Sequence, residues 1–250
     1  MSFTFNNINC ETFDMYVERY PTRVFPNRKC TIYSVAGRSG DLIVDEDAYT
    51  NVTLPYEVYV KGGTTGLQTR LTQIAAWLLG TAGYCKLTDS YDTSIYYMAR
   101  VANAVEFLNS LNQFGKATLQ FDACPQRYPA TDEVLSVVFA DVTETLTYPS
   151  GGGLLPAYPV IEITGKQANA LPKIIAGDLT VRIGSAAAIN KIVIDFSTQS
   201  VYNVYNNARP SNTTVTGDWR KLGDGDTISA VNESSLTNMT LTVYTKRYTI

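Results

Sequence analysis

Only one stretch of this sequence carries a sustained helical period, and it stands inside a run of strand-like segments. Leu67, Leu71, Ile74 and Leu78 recur at helical spacing, with Ala75, Trp77 and Leu79 widening the apolar stripe. The spacing predicts a helix over 66–80. Thr65 is placed to cap it, Gln68 three residues later completes a capping box, and Gly80 and Gly83 stop it. Strand patterns lie on both sides, so the helix interrupts strands rather than alternating with them. That excludes a parallel sheet of strand-helix-strand units and predicts antiparallel β-sandwiches, the first carrying this helix.

The strands are read from period-two alternation. Phe3 and Phe5 alternate with polar neighbours before the Asn6-Asn7 turn. Lys29 to Val35 follows, with Cys30 and Ile32 on one face and Thr31, Tyr33 and Val35 on the other. Gly37 to Asp41 turns the chain into Leu42-Ile43-Val44. In the next strand Val52, Leu54, Tyr56, Val58 and Val60 share one face, and Pro55 assigns it to an edge or a bulge. Further strands are expected at 95–101, near Val105 to Leu108, and at Lys116 to Cys124, the last ending at Cys124-Pro125. Turn residues between Pro125 and Pro129 divide the chain into domains 1–126 and 127–250. Beyond them, about eight short strands are expected, at 134–139, 144–148, 160–163, 179–183, 191–196, 201–205, 227–231 and 239–245. Gly, Asn and Pro stand between them, including the Ser150 to Gly153 turn, which is the pattern of a β-sandwich.

Composition narrows the function classes. Histidine is absent from all 250 residues, which removes serine-histidine and cysteine-histidine catalysis and histidine-ligated zinc. A net charge of −3 with scattered basic residues offers no footprint for nucleic acid or an anionic membrane. No apolar run approaches the ~20 residues of a membrane span, and the polar SFTFNN after Met1 is no secretory signal. Synthesis and folding in a cytoplasm are therefore expected, and the formal glycosylation sites at Asn51 and Asn238 carry no meaning. Cys10, Cys30, Cys85 and Cys124 are too dispersed for a metal knuckle and are expected to be free, mostly buried thiols. No cofactor, metal ion or catalytic residue is expected.

Each conspicuous polar feature has two readings. Asp45, Glu46 and Asp47 form either a solvated loop or part of an interface. Arg38 and Asp41 either tie a hairpin turn together or face a partner. Asp224-Gly225-Asp226 looks like a fragment of a calcium loop but lacks the further spaced oxygens, which favours a tight turn. Trp219 is the candidate for stacking on a sugar, against a core-capping role before Leu222. The helix stripe reads as core before it reads as subunit contact.

In their order, several segments resemble the distal tail proteins of long-tailed bacteriophages. These are the opening FTFNN, VAGRSGDLIVDEDAY (Val35 to Tyr49), the helix ending AAWLLG, GYCKLTDSYDTSIYYMARV (Gly83 to Val101), FDACPQRYP (Phe121 to Pro129), KIVIDFSTQSVY and DWRKLGDGDTI. The resemblance covers nearly the whole chain, and the shared order carries it rather than any one motif. It implies an N-terminal ring-forming β domain with a helix and a C-terminal galectin-like sandwich. It further implies a hexameric ring, possibly two stacked, through which the genome and tape-measure protein pass. The implied partners are the tail tube protein, a tail-associated hub protein and outer baseplate or receptor-binding proteins. The location would be the virion tail tip, assembled in the host cytoplasm. Arg38, Asp41, Asp45, Glu46 and Asp47 are the candidate subunit or partner interface. The rival reading is a carbohydrate-binding module for host attachment, although galectin sugar sites use the histidine this chain lacks. A carboxylate-based glycosidase would need two acids facing each other roughly 5–10 Å apart, and the spacing supplies no such pair.

Overall fold

The computed structural model divides the chain into two compact units, Met1–Ala130 with Ile250, and Thr131–Thr249. It describes every residue except 63–65, 103–105, 111–113, 151–152, 185–187 and 235–237. Thr65, Val105, Gly151 and Gly152, and the roles expected of them, lie outside the described residues.

The first unit begins with β1 (Phe3–Phe5), β2 (Ile8–Asn9) and a 3-10 turn at Cys10–Phe13, then β3 (Met15–Arg19), β4 (Arg28–Tyr33), β5 (Leu42–Tyr49) and β6 (Val52–Lys61). The helix α1 spans Leu67–Leu79, followed by β7 (Cys85–Asp89), β8 (Ile95–Val101), β9 (Leu108–Ser110) and β10 (Phe114–Pro129). Among the described residues eight strands make one antiparallel sheet in the order β2-β1-β7-β8-β10-β6-β3, with β9 also paired to β10. β1 and β6 stand four places apart, about 19 Å in a flat sheet at ~4.8 Å per strand. Yet the Phe3 and Tyr56 rings are 5.3 Å apart, so the sheet curls over into two facing layers. Alternation explains the interior, because Val52, Leu54, Tyr56, Val58 and Val60 of β6 are all buried against Phe3, Phe5, Leu119 and Phe121.

The helix lies against this core through Leu67, Ile74, Trp77 and Leu78. Trp77 fixes its position, since its indole N–H donates to the Phe5 carbonyl at 3.1 Å and its ring stacks on Phe13. The buried stripe is narrower than its sequence suggested. Leu71 is half-buried and Ala75 exposed, and Leu79 is 60 % exposed because it follows Trp77 and Leu78 round to the solvent side. Leu79→Lys should therefore change stability by no more than about 0.5 kcal/mol in urea titration; a larger loss would place Leu79 in the core.

Of two prolines, one behaves as expected and one does not. Pro55 lies where the β3 pairing has already stopped at Glu57, so one flank of β6 is open there and the strand is locally an edge. Pro125 does not end its strand. Between Ala123 and Arg127 the register of β10 on β8 shifts, and this bulge lets the strand run on to Pro129. The cysteines are free as expected, but only Cys10 is buried; Cys30 is exposed because its strand has neither face covered.

Among the described residues the second unit is a sandwich of ten strands: β11 (Val134–Phe139), β12 (Glu144–Thr147), β13 (Val160–Lys166), β14 (Pro172–Ala176), β15 (Leu179–Arg182), β16 (Ile189–Asp195), β17 (Ser200–Asn203), β18 (Thr214–Thr216), β19 (Thr227–Asn232) and β20 (Met239–Tyr244). One sheet runs β11-β20-β13-β16-β17 and the other β12-β19-β14-β15-β18. Ile161, Ile163, Ile192, Ile194 and Leu241 from one face Ile174, Val181, Ile228 and Ala230 from the other. The protein is thus mainly β, with two β-sandwich units and one helix among the described residues. Two of the ten strands, β14 and β18, escaped the alternation reading because one opens on a proline and the other has three residues.

Candidate subunit interface

Five of the six candidate residues fall on a single element. Among the described residues β4 and β5 pair only with each other, forming a two-stranded sheet separate from the eight-stranded one. The loop joining them begins with a tight turn in which the Arg38 N–H donates to the Val35 carbonyl at 3.1 Å. Gly37 takes φ +80° there, the conformation a type II turn requires at its third residue and glycine adopts without strain. Arg38 and Asp41 sit on this loop, and neither side chain is bonded to the hairpin among the described residues. They do not hold the turn together.

Asp45, Glu46 and Asp47 belong to β5 and not to a loop, which corrects the solvated-loop reading. Pairing jumps from Lys29↔Ala48 to Cys30↔Asp45, so Glu46 and Asp47 form a bulge, with Asp47 at φ +50°. The acids are organised by neighbours on the hairpin itself. Arg28 Nε lies 2.7 Å from Asp45 Oδ2, the Thr31 hydroxyl donates to Glu46 at 3.1 Å, and the Asp47 N–H donates to Asp45 at 3.0 Å. The bulge twists the base of the hairpin, and the ion pair pins it.

Toward the tip the chemistry changes. Ile32 and Ile43 oppose each other across one face and are 59 % and 64 % exposed. On the other face Tyr33 opposes Leu42, and Val44 opposes Thr31, again exposed. A two-stranded ribbon is marginal by itself in water, and this one bares aliphatic side chains on both faces. Sequence reading placed the first of these strands and its two faces correctly, but expected the second to give way to a loop after Val44, whereas β5 runs on to Tyr49. Three consecutive aliphatic residues, Leu42-Ile43-Val44, are usual in strands covered on both faces, and here all three are exposed.

The sixth candidate, Trp219, is in the second unit. It is half-buried, packed on the core with its ring edge-on to Phe196 at 5.1 Å. The Asp224-Gly225-Asp226 segment is a turn whose carboxylates are engaged by arginines: Asp226 by Arg220 at 2.8 Å and by the Gly223 N–H at 2.8 Å, Asp224 by Arg247.

No protein-family model matches the sequence, and no curated protein sequence does. The fold has solved counterparts. The chain superposes on the Dit (gp 19.1) protein of phage SPP1, described as a paradigm of the hub adsorption apparatus in phages infecting Gram-positive bacteria. The TM-score is 0.71 at 16 % identity, over 97 % of both chains. The chain has the fold of the phage distal tail proteins. A weaker likeness, TM-score 0.47 at 8 % identity over 97 % of both chains, is to a chain of the phage P2 baseplate in its activated conformation. Because the Dit likeness runs over both units, the hairpin belongs to a Dit-type first unit. In that setting β4 and β5 are the strands that the eight-stranded sheet leaves unpaired.

Proposed function

We propose that this protein is a structural virion component of a phage tail tip, six copies of which close into a ring joining the tail tube to the baseplate hub. The observation that carries the reading is the β4–β5 hairpin, a polar-based, apolar-tipped ribbon that among the described residues does not pair with the eight-stranded sheet, on a fold shared over its full length with Dit. A head-to-tail contact between unlike surfaces closes a ring when the rotation per copy divides the circle. An arm of this kind reaching onto the next subunit is such a contact. The first unit, 1–126 in the sequence division, would make the ring and meet the tube above and the hub below. The second, 127–250, would offer an outer surface to baseplate or receptor-binding proteins. Its work is to hold other proteins in register, with no bond made or broken, and its place is the virion, after assembly in the host cytoplasm.

The test is cryo-electron microscopy of the purified protein, raised in concentration and mixed with tail tubes. Six-fold rings, single or stacked in pairs, with each hairpin lying on its neighbour are the expected result. Particles of another symmetry, or rings in which the hairpins touch nothing, would refute the proposal.

A further inference from the structure

The first unit also holds a polar, aromatic cavity. We propose that this cavity, about 550 Å³ and lined by the segment after β3, by β6, by the turn between β7 and β8 and by the end of β10, binds a neutral pyranose sugar. Its volume lies within the ~300–1,000 Å³ of small-molecule sites.

Four tyrosines form the walls. The Tyr20 and Tyr91 rings are 5.3 Å apart, and Tyr20 meets Tyr56 edge-on at 6.4 Å. Tyr97 lies under the Arg127 guanidinium, 5.8 Å from ring centroid to carbon. Tyr91 is 79 % exposed at the mouth, offering an open face. A tyrosine ring presents an apolar face to C–H groups and a hydroxyl at its edge, the combination that a hydroxylated ring requires.

The polar groups are already held in place. Asp89 accepts the Tyr56 hydroxyl at 3.1 Å and the backbone N–H groups of Tyr91 and Asp92 at 3.0 and 2.8 Å. Asp92 accepts from Arg127 at 3.3 Å and from the Ser94 N–H at 3.1 Å. Arg127 is only 14 % exposed and lines the cavity, its guanidinium held over the Tyr97 ring and paired with Asp92. The formal charges lining the cavity, Arg23 and Arg127 against Asp89 and Asp92, cancel, so an anion gains little. A ligand that fits must supply an acceptor to Arg127, donors to the carboxylates beside it, and an apolar face to a tyrosine. Vicinal hydroxyls on a pyranose ring do all three.

Saturation-transfer NMR on the full chain with glucose, galactose, N-acetylglucosamine and rhamnose tests this. Transfer to at least one sugar is expected. Tyr91→Ala, which leaves the core untouched because the ring is exposed, should weaken it about fivefold or more. Arg127→Gln should weaken it likewise, and Trp219→Ala should leave it unchanged. Repeating the titration with a polymer of the bound sugar separates a wall or capsule polysaccharide, which binds more tightly than the monomer, from a free sugar, which binds equally. No transfer to any of the four, or transfer insensitive to Tyr91→Ala, overturns the assignment. So does transfer abolished by Trp219→Ala alone. The readout does not depend on oligomeric state, so it stands or falls separately from the ring.

Discussion

Changing Ile32 and Ile43 together to aspartate should abolish ring assembly while leaving the subunit as stable as before. Both side chains are exposed in the single chain, so the substitution removes no buried contact and exposes no core. Exposed sites of this kind change stability by about 0.5 kcal/mol or less. In the ring, the same positions would lie against a neighbour, and each new carboxylate would be buried there without a partner. A buried, uncompensated charge costs about 3–5 kcal/mol, which is two or more orders of magnitude in association for each site. The measurement is paired: light scattering for assembly and thermal unfolding for the subunit. Rings that form normally from the double variant would remove the hairpin from the interface, and a large fall in melting temperature would show that it is packed within its own chain.

Arg247→Ala should be as damaging as emptying a core position of the second unit, costing about 3 kcal/mol or more. The Arg247 side chain is 1 % exposed and joins three segments. Its guanidinium pairs with both oxygens of Glu133, reaches Asp224, donates to the Pro149 carbonyl at 3.0 Å, and lies 5.6 Å from the Tyr148 ring. Removal strands Glu133 beside a buried phenol. Chemical denaturation of the variant, followed by tryptophan fluorescence, checks the size of the loss. A cost below about 1 kcal/mol would mean that water replaces the guanidinium freely.

The same pair sets a pH dependence. Burial works to raise the Glu133 carboxyl, but the hydrogen bonds from Arg247 and Thr245 outweigh it and hold the group below the usual glutamate range. A carboxyl depressed on folding contributes stability that is present above its unfolded pKa of about 4.3 and lost as pH falls through the folded value. The melting temperature should therefore fall on acidification below about pH 4.3, and Glu133→Gln should remove part of that slope. An unchanged slope in the variant would assign the acid sensitivity to other carboxylates, such as Asp226, which Arg220 holds low.

What could be read from the residues is local. The helix was legible because its apolar residues recur within thirteen positions, and β6 because five alternate residues share one face. β3 was not legible, since Met15-Tyr16-Val17 lies between turns with only two inward residues to show a period. The end of β10 was misjudged because Pro125 reads as a breaker unless a bulge opposite β8 is known to accommodate it. Asp45, Glu46 and Asp47 were legible as an exposed cluster, but their bulge depends on how β5 pairs with β4.

By itself, then, the sequence determined the mainly β character, the antiparallel order around one helix, and which face of most strands turns inward. These follow from side-chain periods of two and 3.6 residues and from the dihedral limits of Gly and Pro. Tertiary structure alone decided that the first sheet curls so that Phe3 meets Tyr56, that β4 and β5 stand outside it with aliphatics bared, and that Arg127 and four tyrosines from distant segments share one cavity. Those outcomes depend on pairings between residues tens of positions apart, and no local pattern in the chain records which of its edges will meet.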